Sequence, residues 1–239
     1  MAHRKLVRVQ RRHFFMTKTI LLAAAAIFVG GASYAAVPTL AGHGNSTPVH
    51  VTPKKGKPLV DQTSGGIGEG IVSQNFGSSY PTYSSADADA FTVPKGSTWS
   101  VTGVIANGEY FNGSGPATSE NVTFYKDKKG APSKKGLKAC TYTGVAGTDA
   151  SGSFTITLPA ACSLKAGNYW VSVVANLDFD AGGEWGWNDA TDLGPYQADW
   201  ENPGGSFGVG CTTWEAELTC IDDGQANGKD YELLGTASK

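Results

Sequence analysis

Residues 176–192, Asn-Leu-Asp-Phe-Asp-Ala-Gly-Gly-Glu-Trp-Gly-Trp-Asn-Asp-Ala-Thr-Asp, form the densest set of chemically useful side chains in the sequence. Two uses suit them. Asp178 and Asp180 match the first and third ligand positions of an EF-hand calcium loop, Gly183 its central glycine and Asp189 its last carboxylate. Gly182 at the fifth position and the missing flanking helices exclude an EF-hand, which leaves a looser, oxygen-lined calcium site. Asp87 and Asp89 offer a similar site between strands; in the alternative reading one caps a turn and the other faces solvent. The second use is sugar binding. Trp185, Trp187, Tyr196 and Trp200 are interleaved with Asn188, Asp189, Asp192, Asp199 and Asn202. Flat rings stack on the C–H faces of sugars while neighbouring amides and carboxylates take the hydroxyl hydrogen bonds. The competing reading folds the same rings inward as core. Glu184 with Asp178, Asp180 or Asp189 would also furnish a glycosidase carboxylate pair, which in a retaining enzyme lies about 5–5.5 Å apart.

The absences narrow the chemistry further. No histidine follows His50, no arginine follows Arg12, and Met1 and Met16 are the only methionines. Histidine is the usual neutral-pH base and metal ligand, and arginine the usual phosphate and carboxylate clamp. Their absence leaves few routes to a hydrolytic triad, phosphoryl transfer or transition-metal catalysis. Carboxylates, hydroxyls, lysines and aromatic rings suit binding better than catalysis, and no cofactor is required beyond the calcium that the acidic pairs admit.

The N-terminus has the order of an export signal. Arg4, Lys5, Arg8, Arg11, Arg12 and Lys18 precede a short apolar run over 20–29 and small residues over 30–36, so residues 1–35 are expected to be a cleaved signal peptide. The apolar run is too short for a comfortable membrane span. Met16 is an alternative start, and Arg11-Arg12 an alternative twin-arginine signal, although the general secretory route fits the cysteines better. No lipid-anchoring cysteine stands at the cleavage site, so the expectation is a released protein without a stable membrane anchor. Removing those six from 19 basic residues leaves 13 against 21 acids, a net charge of −8, which argues against nucleic acid as partner. Thirteen of the acids lie in 178–232, opposed only by Lys229. The lysines between Lys126 and Lys138 lie in a Gly/Pro/Ser loop that reads as solvated.

Residues 36–65, rich in Pro, Gly, Thr and Ser, read as a flexible linker in which His43 and His50 are solvated. Residues 66–238 then form a single domain. Phe154, Ile156 and Leu158 alternate with threonines, Trp99 and Val101 with Ser100 and Thr102, and Val122 and Phe124 with Thr123 and Tyr125. That period-two pattern is a strand with one buried face. Residues 169–175 are nearly continuous in aromatic and β-branched types, the mark of a central strand covered on both faces. No sustained helical period occurs. The expected fold class is all-β, an antiparallel β-sandwich or jelly roll with long loops.

Four cysteines behind an export signal imply two disulfides, and spacing alone allows three pairings. Cys140 and Cys162 flank two strands joined by a glycine-rich turn, so a hairpin brings them together; Cys211–Cys220 follows by elimination. That second bridge carries a condition. Nine extended steps span about 30 Å, whereas bridged Cα atoms lie within about 7 Å. Trp214, Ala216 and Leu218 alternate with Thr213, Glu215 and Glu217, and a straight strand there would exclude the bridge.

The run Asp89-Ala90-Phe91-Thr92-Val93-Pro94-Lys95-Gly96-Ser97-Thr98-Trp99 resembles the opening of a group of secreted bacterial β-sandwich modules. Tyr110-Phe111-Asn112-Gly113-Ser114-Gly115-Pro116, Tyr169-Trp170-Val171-Ser172-Val173, Trp185-Gly186-Trp187 and Asn202-Pro203-Gly204-Gly205 extend the resemblance over most of 87–220. It implies a module similar to the accessory domains beside secreted proteases and glycan-active enzymes, and carries over no catalytic residue. Three functions follow as expectations. The first is a secreted, non-catalytic module binding an extracellular polysaccharide or cell-envelope polymer. The second is a structural or adhesive protein contacting a cell-surface protein or itself. The third is a carboxylate-based glycoside hydrolase.

Overall fold

A computed structural model describes residues 36–44, 57–63, 65–221 and 227–239. The expected signal peptide and His50 lie outside them. Seven strands form the first half: β1 (Ala41–Gly42), β2 (Val60–Asp61), β3 (Gly66–Val72), β4 (Gln74–Asn75), β5 (Ala86–Ala106), β6 (Gly108–Phe111) and β7 (Ser119–Lys126). The second half adds β8 (Thr141–Val145), β9 (Thr148–Ala150), β10 (Ser153–Asn176), β11 (Glu184–Ala190), β12 (Asp199–Glu201), β13 (Glu215–Ala216), β14 (Gly228–Lys229) and β15 (Tyr231–Ser238). Two short helices, α1 (Phe179–Gly182) and α2 (Glu217–Ile221), interrupt them.

Two sheets result, antiparallel throughout apart from the short parallel pair β4–β10. The smaller runs β1-β3-β11-β14, with β6 also on β11; the larger runs β13-β12-β5-β10-β7-β8, with β15 on β5. The larger sheet is built on β5 and β10, which pair from Ala88↔Ser172 to Ala106↔Phe154. Residues 169–175 lie between β5 and β7 and are covered on both faces, Val171 and Val173 by the main core and Trp170 by Tyr196, which explains their continuous apolar run. Between the sheets, Trp185 and Trp187 of β11 meet Phe154 (centroids 4.8 Å) and Tyr231 (5.8 Å) of the opposite layer. The protein is thus an all-β antiparallel sandwich.

Both expected disulfides are present, with Cα separations of 5.2 Å for Cys140–Cys162 and 5.9 Å for Cys211–Cys220. They fit an extracellular or otherwise oxidising compartment. The condition on the second bridge is met because the alternation over 213–218 is not one strand: β13 has two residues and turns directly into α2. Among the described residues no helix is long and apolar enough to cross a membrane.

The linker expectation needs correction where residues 36–65 are described. Ala41 pairs with Ile71 and Asp61 with Glu232, so both pieces are sheet-bound. Leu40 and Ala41 pack beside Ile71 and Phe111, and Leu59 and Val60 beside the main core. Even the His43 ring is engaged, its Nδ1 2.8 Å from the Gly68 carbonyl oxygen. A few apolar residues were enough to dock a segment that is polar on average.

Truncating Trp185 should show how much the sandwich depends on its indoles. Trp185→Ala is expected to lose about 3–5 kcal/mol of stability in urea unfolding, as large-to-small changes in packed cores do. A loss under about 1 kcal/mol, the range of an exposed side chain, would contradict this placement.

Candidate functional site

Trp185, Trp187 and Trp200 are fully buried. Their indole N–H groups donate to the carbonyls of Gly152 (2.7 Å), Asp230 (3.0 Å) and Val72 (2.8 Å). Asn188 is buried as well. These four residues offer no face to a ligand, which corrects the stacking-platform expectation for them. The reason lies in β11. Gly186, between the two tryptophans, lets the backbone of β3 approach so closely that a Cβ there would stand 2.6 Å from Gly70. The tryptophans alternate with it and so share the opposite, inward face. Tyr196 alone of the five is half-buried, stacked on Trp170 at 5.8 Å.

The acidic residues separate in the same way. Exposed Asp178 caps α1, its Oδ1 accepting from the Asp180 backbone N–H at 3.1 Å. Asp189 instead points into the protein, where its Oδ1 accepts from the Lys229 ammonium and its Oδ2 from Asn227 Nδ2 (3.0 Å). The three carboxylates expected to share calcium are therefore not brought together. Asp87 and Asp89 are also buried, not solvated. Asp87 faces Lys229 Nζ at 2.6 Å, and Asp89 Oδ2 accepts from Gln62 Nε2 (2.7 Å) and the Lys229 backbone N–H (2.6 Å). Lys229 thus engages both, Asp87 through its ammonium and Asp89 through its main chain. Among the described residues no set of three or more His, Cys, Asp or Glu side chains is arranged to hold a metal. Glu184 is held separately, accepting from Thr39 and from Asn112 Nδ2 (2.7 Å), so its expected partnership with Asp189 is not formed.

The aromatic surface lies elsewhere. Trp214 is the one tryptophan of the six that is not buried. It sits between Cys211 and Cys220, half-buried against the cluster of Ala88, Ala90 and Trp170. Tyr125 meets it edge-on at 5.6 Å. Trp214 lines a groove of about 420 Å³ with Lys128, Ala131, Pro132, Lys134, Glu201 and Thr213. The lysine loop that reads as merely solvated is therefore one wall of this groove. Its position is fixed by Asp127, whose Oδ1 accepts from Trp170 Nε1 (3.2 Å) and from the Gly130 N–H (3.1 Å). Glu201, on the opposite wall, accepts from the Trp214 backbone N–H, yet burial pushes its pKa up to about 7. One ring, two exposed ammonium groups and a carboxyl near its titration point thus converge on a concave surface, a set able to stack on a sugar and to exchange hydrogen bonds with hydroxyl or carboxylate groups. Spacing along the chain could not reveal this, because Lys128, Glu201 and Trp214 come from three distant segments.

No family model, curated protein or solved structure matches this chain.

Several carboxyls share the direction found at Glu201. Burial pushes Asp89, Glu120, Glu184 and Asp199 each up to about 7. Between their unfolded values near 4 and about 7, the folded protein holds protons that the unfolded chain has released, so stability should fall as pH rises through this window. The melting temperature is expected to be higher at pH 5 than at pH 8 by at least about 5 °C, since 1 kcal/mol is about 2–4 °C in a domain of this size. A melting temperature that rises from pH 5 to pH 8 would contradict the burial of these groups.

Proposed function

We propose that this protein is a secreted, non-catalytic module that binds an extracellular polysaccharide or cell-envelope polymer in the groove beside Trp214. The observation that carries this reading is the selective exposure of Trp214: five tryptophans are used as core while the sixth is held half-open beside Lys128, Lys134 and Glu201. A ring fixed by Tyr125 and by a disulfide-closed loop loses little freedom on stacking, which favours affinity. The two lysines favour a polymer bearing carboxylate or phosphate groups in an otherwise acidic protein, and such binding weakens with salt. The two disulfides support an extracellular setting, to which residues 1–35 would deliver the chain.

Purified residues 36–239 are expected to bind uronate-bearing polysaccharides saturably, and more tightly than neutral ones. Trp214→Ala should weaken binding tenfold or more, a loss of about 1.4 kcal/mol, without changing the melting temperature by more than a few degrees. Combined Lys128→Ala and Lys134→Ala should remove the preference for acidic polymers. Binding that survives Trp214→Ala unchanged would rule out this groove.

A further inference from the structure

The most unusual chemical group in the protein is the Lys229 side chain, which is fully buried together with three carboxylates. Lys229 on β14 lies directly across from Asp189 on β11, and its Nζ donates to Asp189 Oδ1. Asp87 Oδ2 and Glu217 Oε2 each lie 2.6 Å from the same nitrogen. The lysine, Asp87 and Asp189 side chains are 0% exposed and that of Glu217 is 2% exposed. Asp87 and Glu217 also hydrogen-bond to one another through their side chains. As a plain ion cluster this is a costly arrangement, since each buried charge costs several kcal/mol of desolvation and three acids leave a surplus around one base.

We propose that Lys229 and Asp189 become joined by an intramolecular isopeptide bond, formed by the protein's own side chains without a cofactor. The nitrogen is already within reaction distance of the carboxyl that receives it, on strands whose pairing holds the two residues opposite one another. Glu217 is the proton carrier. Burial, with Asp87 beside it, holds its carboxyl well above the ordinary range, so it has a proton to give. Burial favours a neutral amine at Lys229, but the carboxylates of Asp189 and Asp87 outweigh this and hold it protonated. Reaction therefore starts from the ion pair, and a proton passes from Nζ to the neighbouring carboxylate of Asp87. The freed lone pair attacks Asp189 Cγ. Asn227 Nδ2, donating to Asp189 Oδ2, steadies the charge that develops on the oxygen retained in the amide. The Cγ–N bond forms and the Cγ–Oδ1 bond breaks. That oxygen takes one proton from Glu217 and the other from Asp87 and leaves as water, while the second proton shed by nitrogen returns Glu217 to its acid form. One ammonium and one carboxylate become one amide and one water, with no change in oxidation state or net charge. The product also removes an ion pair from a dry interior. The bond would form whether or not the groove beside Trp214 binds a glycan.

The test is the intact mass of the full secreted chain after reduction of its disulfides. The protein is expected to be about 18 Da lighter than its processed sequence, the mass of the one water released in forming the bond. Tandem mass spectrometry should find a branched peptide joining Lys229 to Asp189. Glu217→Gln, which keeps the side chain's shape but cannot carry the proton, should return most of the protein to its sequence mass, and Asp189→Ala all of it. Wild-type protein at its full sequence mass would overturn the proposal whatever the variants do. A branch at Asp87 or Glu217 in place of Asp189 would overturn the assignment of the bond.

Discussion

The fold is organised around a lysine side chain that has no access to water and that enters the folded state charged. Lys229 draws together a carboxylate from β5, one from β11 and one from the first residue of α2, elements that belong to both sheets and to the disulfide-closed loop. Apolar contacts between β10, β11 and β15 supply most of the attraction between the layers, but such contacts are not directional and tolerate sliding. A buried ammonium and its carboxylates are directional and leave few alternative arrangements, since any register that separates them leaves a charge uncompensated in a low dielectric. The network continues through the Lys229 main chain. Its N–H donates to Asp89, and Gly228 beside it has no Cβ, which at that position would stand 2.2 Å from the Asp192 carbonyl oxygen.

The same cluster links the core to the exposed groove. Glu217 opens α2, and its backbone N–H donates to the Ala198 carbonyl at 2.9 Å. The Cys211–Cys220 bridge closes the loop that carries both Glu217 and Trp214. One end of this loop is anchored in buried charge while the middle is held open at the surface. Rigid support for an exposed aromatic ring is what a stacking site requires, because the ordering cost is met during folding and not on binding.

Much of the fold was legible in the sequence. Period-two alternation at 154–158 and 99–102 marks half-buried strands because one face of each is covered, and the continuous run at 169–175 marks a strand covered on both faces. The disulfides could be read because a hairpin with a glycine-rich turn brings Cys140 to Cys162, which leaves Cys211 for Cys220. The site was less legible. Trp-Gly-Trp reads either as a sugar platform or as an inward-facing strand, and only the packing of the two indoles against Phe154 and Tyr231 decides between them. Lys229 did leave a signal, as the lone base among thirteen acids over 178–232, but its partners Asp87, Asp189 and Glu217 are dispersed along the chain. Trp214 and the lysine loop gave none, since the β10–β7 pairing that helps bring them into register is a long-range contact.

The stability of Lys229→Met, measured by urea unfolding beside the wild type, bears most directly on this architecture. If Lys229 organises the structure, as an ammonium or joined to Asp189, the variant leaves the buried acids Asp87 and Asp189 without their partner and loses about 3–5 kcal/mol, as breaking a buried ion pair from one side does. A loss below about 1 kcal/mol would show that hydrophobic packing alone sets the arrangement of the two sheets, and would contradict a central role for Lys229.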